Sequence, residues 1–547
     1  MNSAEKRLSG ILPSLLSGLL LALAFPRADQ GWLALVALVP LLRAIAGATP
    51  ARAARRGFAF GAAYFVLLLP WLISVMHRFG GLPFPVAIAI LALFVAYLAS
   101  YFALFAALFA AAVRRWGWIG WGLAPPFWVA LELLRERLLT GFPWGSIGYT
   151  QWRNLPLLQV SAVGGVYAVS FLVVTTNAAL GLLTVRTSPN RARGAALAGL
   201  ALVAAAQGGG VIFLRSQDRA ASAPGAGMLS VAAIQANVPQ DRKWRPGEEQ
   251  AIVDDLMAMT ERAAQAGARI VVWPESASPL SFYVPDRLAS ADGPKFVITP
   301  RRDFLFAVTD LARRGGITLV AGSVDYRLDE GRLRAYNSAF AITPDGTVGV
   351  PYDKAHLVPF GEYVPLQRVL FFVDGMVEGA IAAFAPGKSP HALSTPYGSA
   401  GTFVCYEAIF PELVRPLAWE GAFLVNITND AWFGKSGAPG QHLAMAVFRA
   451  AENRRYLLRA ANTGISALVD PFGRVVKATV LNEKIVLRGE LRPLSGHTFY
   501  ARTGDLLAWA CAIVTFLSAA ALCAAFLRPG RNLWRGGRDG DAPIVRA

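Results

Sequence analysis

Apolar residues are distributed unevenly along the chain. Eight long apolar runs stand out, at about 10–25, 31–47, 58–76, 84–112, 117–134, 158–184, 194–214 and 505–527. A helix needs about 20 mostly apolar residues to cross the hydrocarbon core of a bilayer, so each run reads as a span. Lys6 and Arg7 ahead of the first run have the look of a secretion signal. Phe25-Pro26-Arg27 offers no small-residue cleavage site, however, and more spans follow, so this run is read as retained. The pattern predicts three parts: a transmembrane bundle of about seven spans over 1–214, a globular domain over 215–503, and a last span with a basic tail over 504–547.

The periodicity changes in the middle part. Residues 228–238 (MLSVAAIQANV) read as a strand, and 248–266 as an amphipathic helix with Ile252, Leu256 and Met259 on one face. Further strands are predicted at about 268–274, 317–324, 336–343, 399–405, 422–427, 464–470 and 484–491, with a helix at about 440–459. Apolar runs such as Ile270-Val271-Val272-Trp273 mix with helices, which argues for an α/β domain with a layered sheet core.

Composition agrees. Of 547 residues, 55% are hydrophobic and 16% charged, against about 25% charged in an average soluble domain. The mean hydropathy is +0.43. A net charge of +17 invites a nucleic-acid reading, but the excess lies largely in the loops between spans, where Lys and Arg mark the cytoplasmic side. With a cytoplasmic N-terminus, sixteen loop and tail cations fall on that side, against five (Arg27, Arg78, Arg135, Arg137 and Arg153) on the other. That asymmetry predicts a multi-pass protein of a bacterial inner membrane, with its globular domain facing the periplasm.

Of three cysteines, Cys511 and Cys523 fall in the last run, leaving Cys405 alone in the globular domain. No disulfide framework is possible there, and a lone thiol in an oxidising compartment needs a reason. Within the bundle, Glu132, Arg135, Glu136 and Arg137 share helical spacing. They read either as functional groups within the membrane or as a helix end capped by ion pairs. The loop Gly141-Phe142-Pro143-Trp144, with Tyr149, Gln151 and Trp152, has the composition of an interfacial aromatic belt. It could equally line a lipid-headgroup site, which makes Trp144 a candidate substrate contact.

Three clusters sit at predicted strand ends, where α/β enzymes keep their chemistry. They are Trp273-Pro274-Glu275-Ser276, the segment Tyr352 to Glu362 containing Lys354 and His356, and Thr402-Phe403-Val404-Cys405-Tyr406-Glu407. Each has a plain reading alone: a solvated carboxylate, a surface lysine, a small core residue. Together their chemistry fits, because a thiol needs activation. A carboxylate can act as base, and a lysine can stabilise both thiolate and oxyanion. Among five histidines only His356 falls near a cluster, so a Cys-His pair is poorly supported.

Glu275, Lys354 and Cys405, within WPES, the KAHLVPFGEYVP segment and CYE, resemble the nitrilase superfamily, whose α-β-β-α sandwich carries a Glu-Lys-Cys triad. PFGEYVP, NITNDAWFG (426–434), the Arg-rich helix from Arg449 to Arg459 and Asn462-Thr463-Gly464 resemble, more narrowly, the membrane-embedded apolipoprotein N-acyltransferase family. So does an eight-span bundle interrupted by this domain. The resemblance implies Glu275 as general base, Lys354 as oxyanion-stabilising cation and Cys405 as nucleophile. It implies Glu362 as a further essential carboxylate, Tyr406 and Glu407 as support for the nucleophile, and Trp244 as an aromatic on an arm over the site. The implied reaction is ping-pong. Cys405 takes the sn-1 acyl chain of a phospholipid, typically phosphatidylethanolamine, and passes it to the N-terminal amine of diacylglyceryl-cysteine in an apolipoprotein. No cofactor, metal or nucleic acid is implied. Two rivals use the same pattern: a membrane-tethered nitrilase-type amidase, and a transporter with a non-catalytic periplasmic domain.

Overall fold

The computed structural model describes residues 3–186, 188–221, 227–282, 302–329, 332–363 and 384–527. The basic tail beyond 527, and the end of the PFGEYVP segment after Tyr363, lie outside the described residues.

The globular domain is built on two sheets. One has the order β11-β1-β2-β3-β4-β5 and the other β10-β9-β8-β7-β6. The first comprises β1 (Leu229–Gln235), β2 (Ile270–Val272), β3 (Thr318–Asp329), β4 (Arg332–Ile342), β5 (Tyr352–Asp353) and β11 (Ile485–Leu491). The second comprises β6 (Ala400–Val404), β7 (Phe423–Thr428), β8 (Leu457–Ala461), β9 (Ala467–Val469) and β10 (Val475–Ala478). The triples β1-β2-β3 and β6-β7-β8 are parallel.

Because side chains alternate across a strand, each central strand feeds two cores. Val231, Ala233, Ile270, Val272 and Val320 face the second sheet and pack with Val404, Val425 and Ile427. Ala232, Ile234, Val271, Trp273 and Leu319 face outward and pack under helices Glu249–Gln265 and Arg302–Gly315 through Leu256, Met259 and Val308. Helices Pro411–Glu420 and Ala438–Asn453 cover the second sheet. The result is an α-β-β-α sandwich.

The expected helix at 440–459 ends early. Arg454 takes φ +52° and closes the helix with a left-handed residue, so Arg455 lies beyond it and Arg459 belongs to β8. The Arg-rich stretch is therefore a helix, a cap and a strand.

The apolar runs are helical, but fewer than eight meet the length needed to span. Among the described residues four stretches do so by length and composition: Phe84–Arg137, Ser161–Leu183, Asn190–Arg219 and Leu506–Ala525, or five if Pro50–Leu68 and Trp71–Phe79, bent by 53°, are one span. The first of these doubles back. Trp121 meets Phe109 at 5.3 Å and Trp128 meets Phe105 at 5.1 Å, so Ala124–Arg137 returns along Phe84–Trp116. The run at 31–47 breaks into a tight turn, Gly31–Leu35, and a short helix, Val39–Ala46. Eight helical residues rise about 12 Å, far less than the bilayer core. Non-helical backbone at such depth must be satisfied by protein. Asn177 does so, accepting from the Leu38 N–H at 2.8 Å and donating to the Ala34 carbonyl at 2.8 Å. The apolar part of the first helix, Gly10–Leu23, is also short. The helix at 194–214 continues to Ala221.

Small residues allow close helix contact. A Cβ on Gly57 would sit 2.2 Å from the Phe102 carbonyl oxygen, and one on Gly61 would sit 2.8 Å from Ala99 Cα.

The two parts meet along helix Ala438–Asn453. Gln441 accepts from Trp144 Nε1 at 2.7 Å and donates to the Pro26 carbonyl at 2.8 Å. Arg449 donates to Tyr149 Oη at 3.0 Å. Gly164 and Gly165 interrupt helix Ser161–Leu183, and Glu452 accepts from the Val166 N–H just past the break at 3.0 Å. The expected aromatic belt is therefore overturned: Trp144, Tyr149, Gln151 and Trp152 are buried because the catalytic domain's helix and neighbouring loops cover them. Glu132, Arg135 and Glu136 are buried too. Glu132 accepts from Trp128 Nε1 at 2.9 Å and the Ile147 N–H at 2.7 Å, Arg135 donates to Ser146 Oγ at 3.0 Å, and Glu136 pairs with Tyr167. These contacts favour the structural reading of that cluster.

Candidate active site

The three strand-end clusters converge. Glu275 follows β2, Lys354 follows β5 and Cys405 follows β6, and all three are buried. Cys405 has φ +48°, a region costly for a residue with a Cβ. It opens a tight turn, Cys405–Ile409, directly after an extended strand.

Lys354 Nζ lies 3.2 Å from Glu275 Oε1 and 2.9 Å from Glu362 Oε1. Asn337 Nδ2 donates to both carboxylates, at 2.7 Å and 3.0 Å. Glu275 Oε2 accepts from the Asn429 N–H at 2.8 Å, and Glu362 Oε2 from the Val358 N–H at 2.8 Å. The Cys405 thiol lies within reach of the charges of both Glu275 and Lys354.

Burial alone would raise Glu275, but the Lys354 ammonium and the hydrogen bonds from Asn337 and Lys354 outweigh it and hold this carboxyl below its usual range. Burial likewise works against charge on Lys354, yet Glu275 and Glu362 hold it above its usual value. Burial, then the Glu275 charge, push the thiol well up, against the pull of Lys354. The resting site is thus a neutral thiol beside an ionised base and a fixed cation.

Glu407 ties the nucleophile's turn to the lysine's loop. Its Oε1 accepts from the Ala355 N–H at 2.7 Å and the His356 N–H at 3.1 Å. Its Oε2 accepts from Tyr352 Oη at 2.9 Å and the Val404 N–H at 2.7 Å. Burial raises this carboxyl to about 7, with those N–H groups pulling the other way.

Tyr406 packs on Phe410 and His356. His356 stacks on Phe410 at 4.0 Å, and burial, then Lys354, push its ring down to about 4. Trp244 is half-buried against Val324, Ala335 and Phe384. Trp144 is sealed behind the site and stacks on His442 at 5.9 Å.

Sequence reasoning missed Asn337, Asn429 and the group His442, Asp430 and Arg459. His442 Nε2 sits 2.9 Å from the Cys405 carbonyl oxygen, so the histidine touching the nucleophile is not His356. Asn429 and Asp430 lie inside the NITNDAWFG motif, which was the available signal. Asn337 and His442 sit at unremarkable positions on a strand and a helix.

A buried thiol, carboxylate and ammonium gathered at strand ends in a double-sheet sandwich have the arrangement of a carbon–nitrogen hydrolase domain, here joined to apolar helices. The family model "Carbon-nitrogen hydrolase" matches residues 230–493, and "Apolipoprotein N-acyltransferase N-terminal domain" matches residues 17–179. The chain is 42% identical to an apolipoprotein N-acyltransferase of Geobacter metallireducens, covering 91% of this chain and 92% of that protein. It is 35% identical to one of Methylococcus capsulatus, covering 91% and 93%. The chain belongs to the apolipoprotein N-acyltransferase family. Among solved structures it is similar to Nit3 of Saccharomyces cerevisiae, with 22% identity, a TM-score of 0.37, and coverage of 49% of this chain and 91% of that one.

Proposed function

We propose that this chain takes the sn-1 acyl group of a phospholipid, phosphatidylethanolamine above all, onto Cys405 as a thioester. It then delivers that group to the N-terminal amine of diacylglyceryl-cysteine in an apolipoprotein. The observation that carries this reading is Lys354 bridging Glu275 and Glu362 beside the buried Cys405, whose thiol feels the charges of both Glu275 and Lys354.

In the first half, Glu275 accepts the thiol proton as sulfur attacks the ester carbonyl. A C–S bond forms, and the carbonyl π pair becomes an oxyanion held by Lys354. The tetrahedral centre collapses, the ester C–O bond breaks, and the proton passes from Glu275 to the departing glycerol oxygen, giving lysophospholipid. In the second half, the acceptor amine attacks the thioester and Glu275 takes its proton. The C–S bond breaks, and the proton returns to sulfur. Glu362 holds Lys354 in place, and Glu407 fixes the lysine's loop to the nucleophile's turn. Trp244 is the candidate substrate contact over the site. Trp144 supports it from behind.

Membrane attachment fits these substrates. A diacyl lipid with roughly thirty buried methylenes costs about 20 kcal/mol to desorb fully, so both partners must arrive from the bilayer. The charge asymmetry supports eight segments crossing or entering the inner membrane, with the catalytic domain in the periplasm. A reporter fused after residue 500 should be active only in the periplasm.

The test of the chemistry is to mix the purified protein with phospholipid labelled in its sn-1 chain, with no acceptor. Label should appear on Cys405 with release of lysophospholipid, and a diacylated lipopeptide should then remove it. Lysophospholipid that appears only when the acceptor is present would overturn the thioester route.

A further inference from the structure

One buried cluster has no part in the chemistry above: His442, Asp430 and Arg459, none more than 1% exposed. His442 Nε2 is 2.9 Å from the Cys405 carbonyl oxygen. A carbonyl has no proton to give, so Nε2 carries one and donates it. At the other edge of the ring, Nδ1 faces Asp430 Oδ1 at 3.0 Å and Arg459 Nη2 at 3.1 Å. Asp430 is pinned in turn, accepting from Thr428 Oγ1 and from Arg459 Nη2, both at 2.8 Å. Burial opposes its charge, but Arg459 and His442 hold its carboxyl down at about 2. Arg459 also donates to Asn426, whose Nδ2 donates to the Phe403 carbonyl at 3.1 Å. The cluster is thus braced against the nucleophile's own strand.

Through His442 the cluster reaches the Cys405–Tyr406 peptide group. In a trans peptide the N–H points away from the carbonyl, so the Tyr406 N–H faces away from His442. Tyr406 is the second residue of its turn, and the first N–H groups of a turn have no partner within it. Among the described residues no backbone acceptor is placed against this N–H. A donor on the carbonyl draws electron density from the peptide and strengthens its N–H as a donor, by about 10–30% per bond. The amide after a nucleophile is well placed to receive the oxyanion that forms on the attacked carbonyl.

We infer that His442, braced by Asp430 and Arg459, is a positioning residue: its donation to the Cys405 carbonyl polarises the Cys405–Tyr406 peptide and so tunes how strongly that amide can act on the acyl group. This rests on the Cys405 thioester reading. It differs from a purely structural role, in which His442 would only hold the strained turn together, because polarisation reaches the acyl group itself.

The experiment uses the full chain in detergent and phospholipid labelled with carbon-13 at the sn-1 carbonyl, without acceptor. Isotope-edited infrared spectra report the thioester carbonyl, and single-turnover measurements report acylation. In the wild type the carbonyl should absorb at lower wavenumber than in the denatured acyl-enzyme. His442→Phe should return the band toward the denatured position. It should slow acylation by between about tenfold and a hundredfold, less than the ~10²–10³ typical of losing a whole donor, with KM for phospholipid within about twofold. His442→Gln, whose amide keeps a donor but lacks the ring's second nitrogen facing Asp430 and Arg459, should fall between, and so should Asp430→Asn. A wild-type band position in His442→Gln or Asp430→Asn overturns the inference whatever the rate. The same two variants decide the matter if His442→Phe fails to assemble. Absence of any acyl-enzyme in the wild type would instead sink the thioester reading on which the inference stands.

Discussion

Replacing Lys354 by Met keeps most of the unbranched side chain and removes its charge and donors. In the structure that charge lies 3.2 Å from Glu275 and 2.9 Å from Glu362. At an effective dielectric of about 20, each contact is worth roughly 5 kcal/mol of Coulomb attraction. Two consequences follow. The oxyanion loses its cation, which typically costs about 10²–10³ in rate. Glu275 also loses the main influence opposing its burial, and an interaction of that size is enough to carry its ionisation from below the usual carboxylate range to above it, even with the Asn337 and Asn429 N–H bonds retained. A base must be ionised to act, so raising its pKa moves the acid limb of the rate profile to higher pH. Below the new pKa the rate should fall about tenfold per pH unit. Stability follows the same sign. In the wild type the depressed Glu275 pKa adds stability above its unfolded value that is lost as pH falls through the folded one. In the variant two buried carboxylates lack their partner, at a cost of about 3–5 kcal/mol near neutral pH. The assay is single-turnover acylation by labelled phospholipid from pH 5 to 9, beside thermal unfolding in the same detergent. An acid limb that stays where the wild type has it, or a loss below about tenfold at pH 8, would refute the placement of Lys354 between base and oxyanion.

Cys405→Ala should abolish acyl-enzyme formation while leaving membrane insertion intact, whereas Cys511→Ala should stay near wild-type turnover; residual thioester in Cys405→Ala would have to sit on another residue. Glu407→Gln puts an amide NH₂ where two donors now point, so at least one pair of bonds is lost, at about 1.5–3 kcal/mol for each bond to a charged group. It should lower both unfolding temperature and acylation rate. Gly57→Val drives a side chain into the Phe102 carbonyl and should cost about 1–3 kcal/mol as overpacking. Its unfolding temperature should drop with Cys405 labelling largely preserved below the transition, and an unchanged melting curve would contradict the close helix contact.

Residues whose meaning is local were legible in the sequence. Glu275 and Cys405 stand just after short β-rich apolar runs, and Lys354 and Glu362 share one polar segment. The alternation of Val231, Ala232, Ala233 and Ile234 between two cores was hidden, because a strand buried on both faces shows no alternation of polarity. The end of helix 438–453 was misjudged because Arg454 is a poor sequence signal for a left-handed cap, which usually falls on glycine. Apolar length alone could not distinguish a span from the broken run at 31–47, whose break is healed by Asn177 from 139 residues away. His442 was illegible for the same reason: its partner is a backbone carbonyl 37 residues distant, and no pattern of residue types announces a contact to a carbonyl.

Helix Ala438–Asn453 has no spare face. Through His442 it touches the Cys405 carbonyl, through Gln441 the Pro26 and Trp144 loops, through Arg449 the Tyr149 turn, and through Glu452 the helix interrupted at Gly164–Gly165. In a free-standing relative of this domain, the corresponding surface would have to be wettable. Here it holds a fully buried arginine and glutamate, paired with each other at 2.9 Å, whose remaining partners, Tyr149 and the Val166 N–H, come from the bundle. The catalytic domain is therefore no longer a detachable module. Cutting it out would expose that seam and loosen the helix on which the nucleophile's carbonyl rests, so enzyme and anchor have become a single inheritable unit whose halves can change only together.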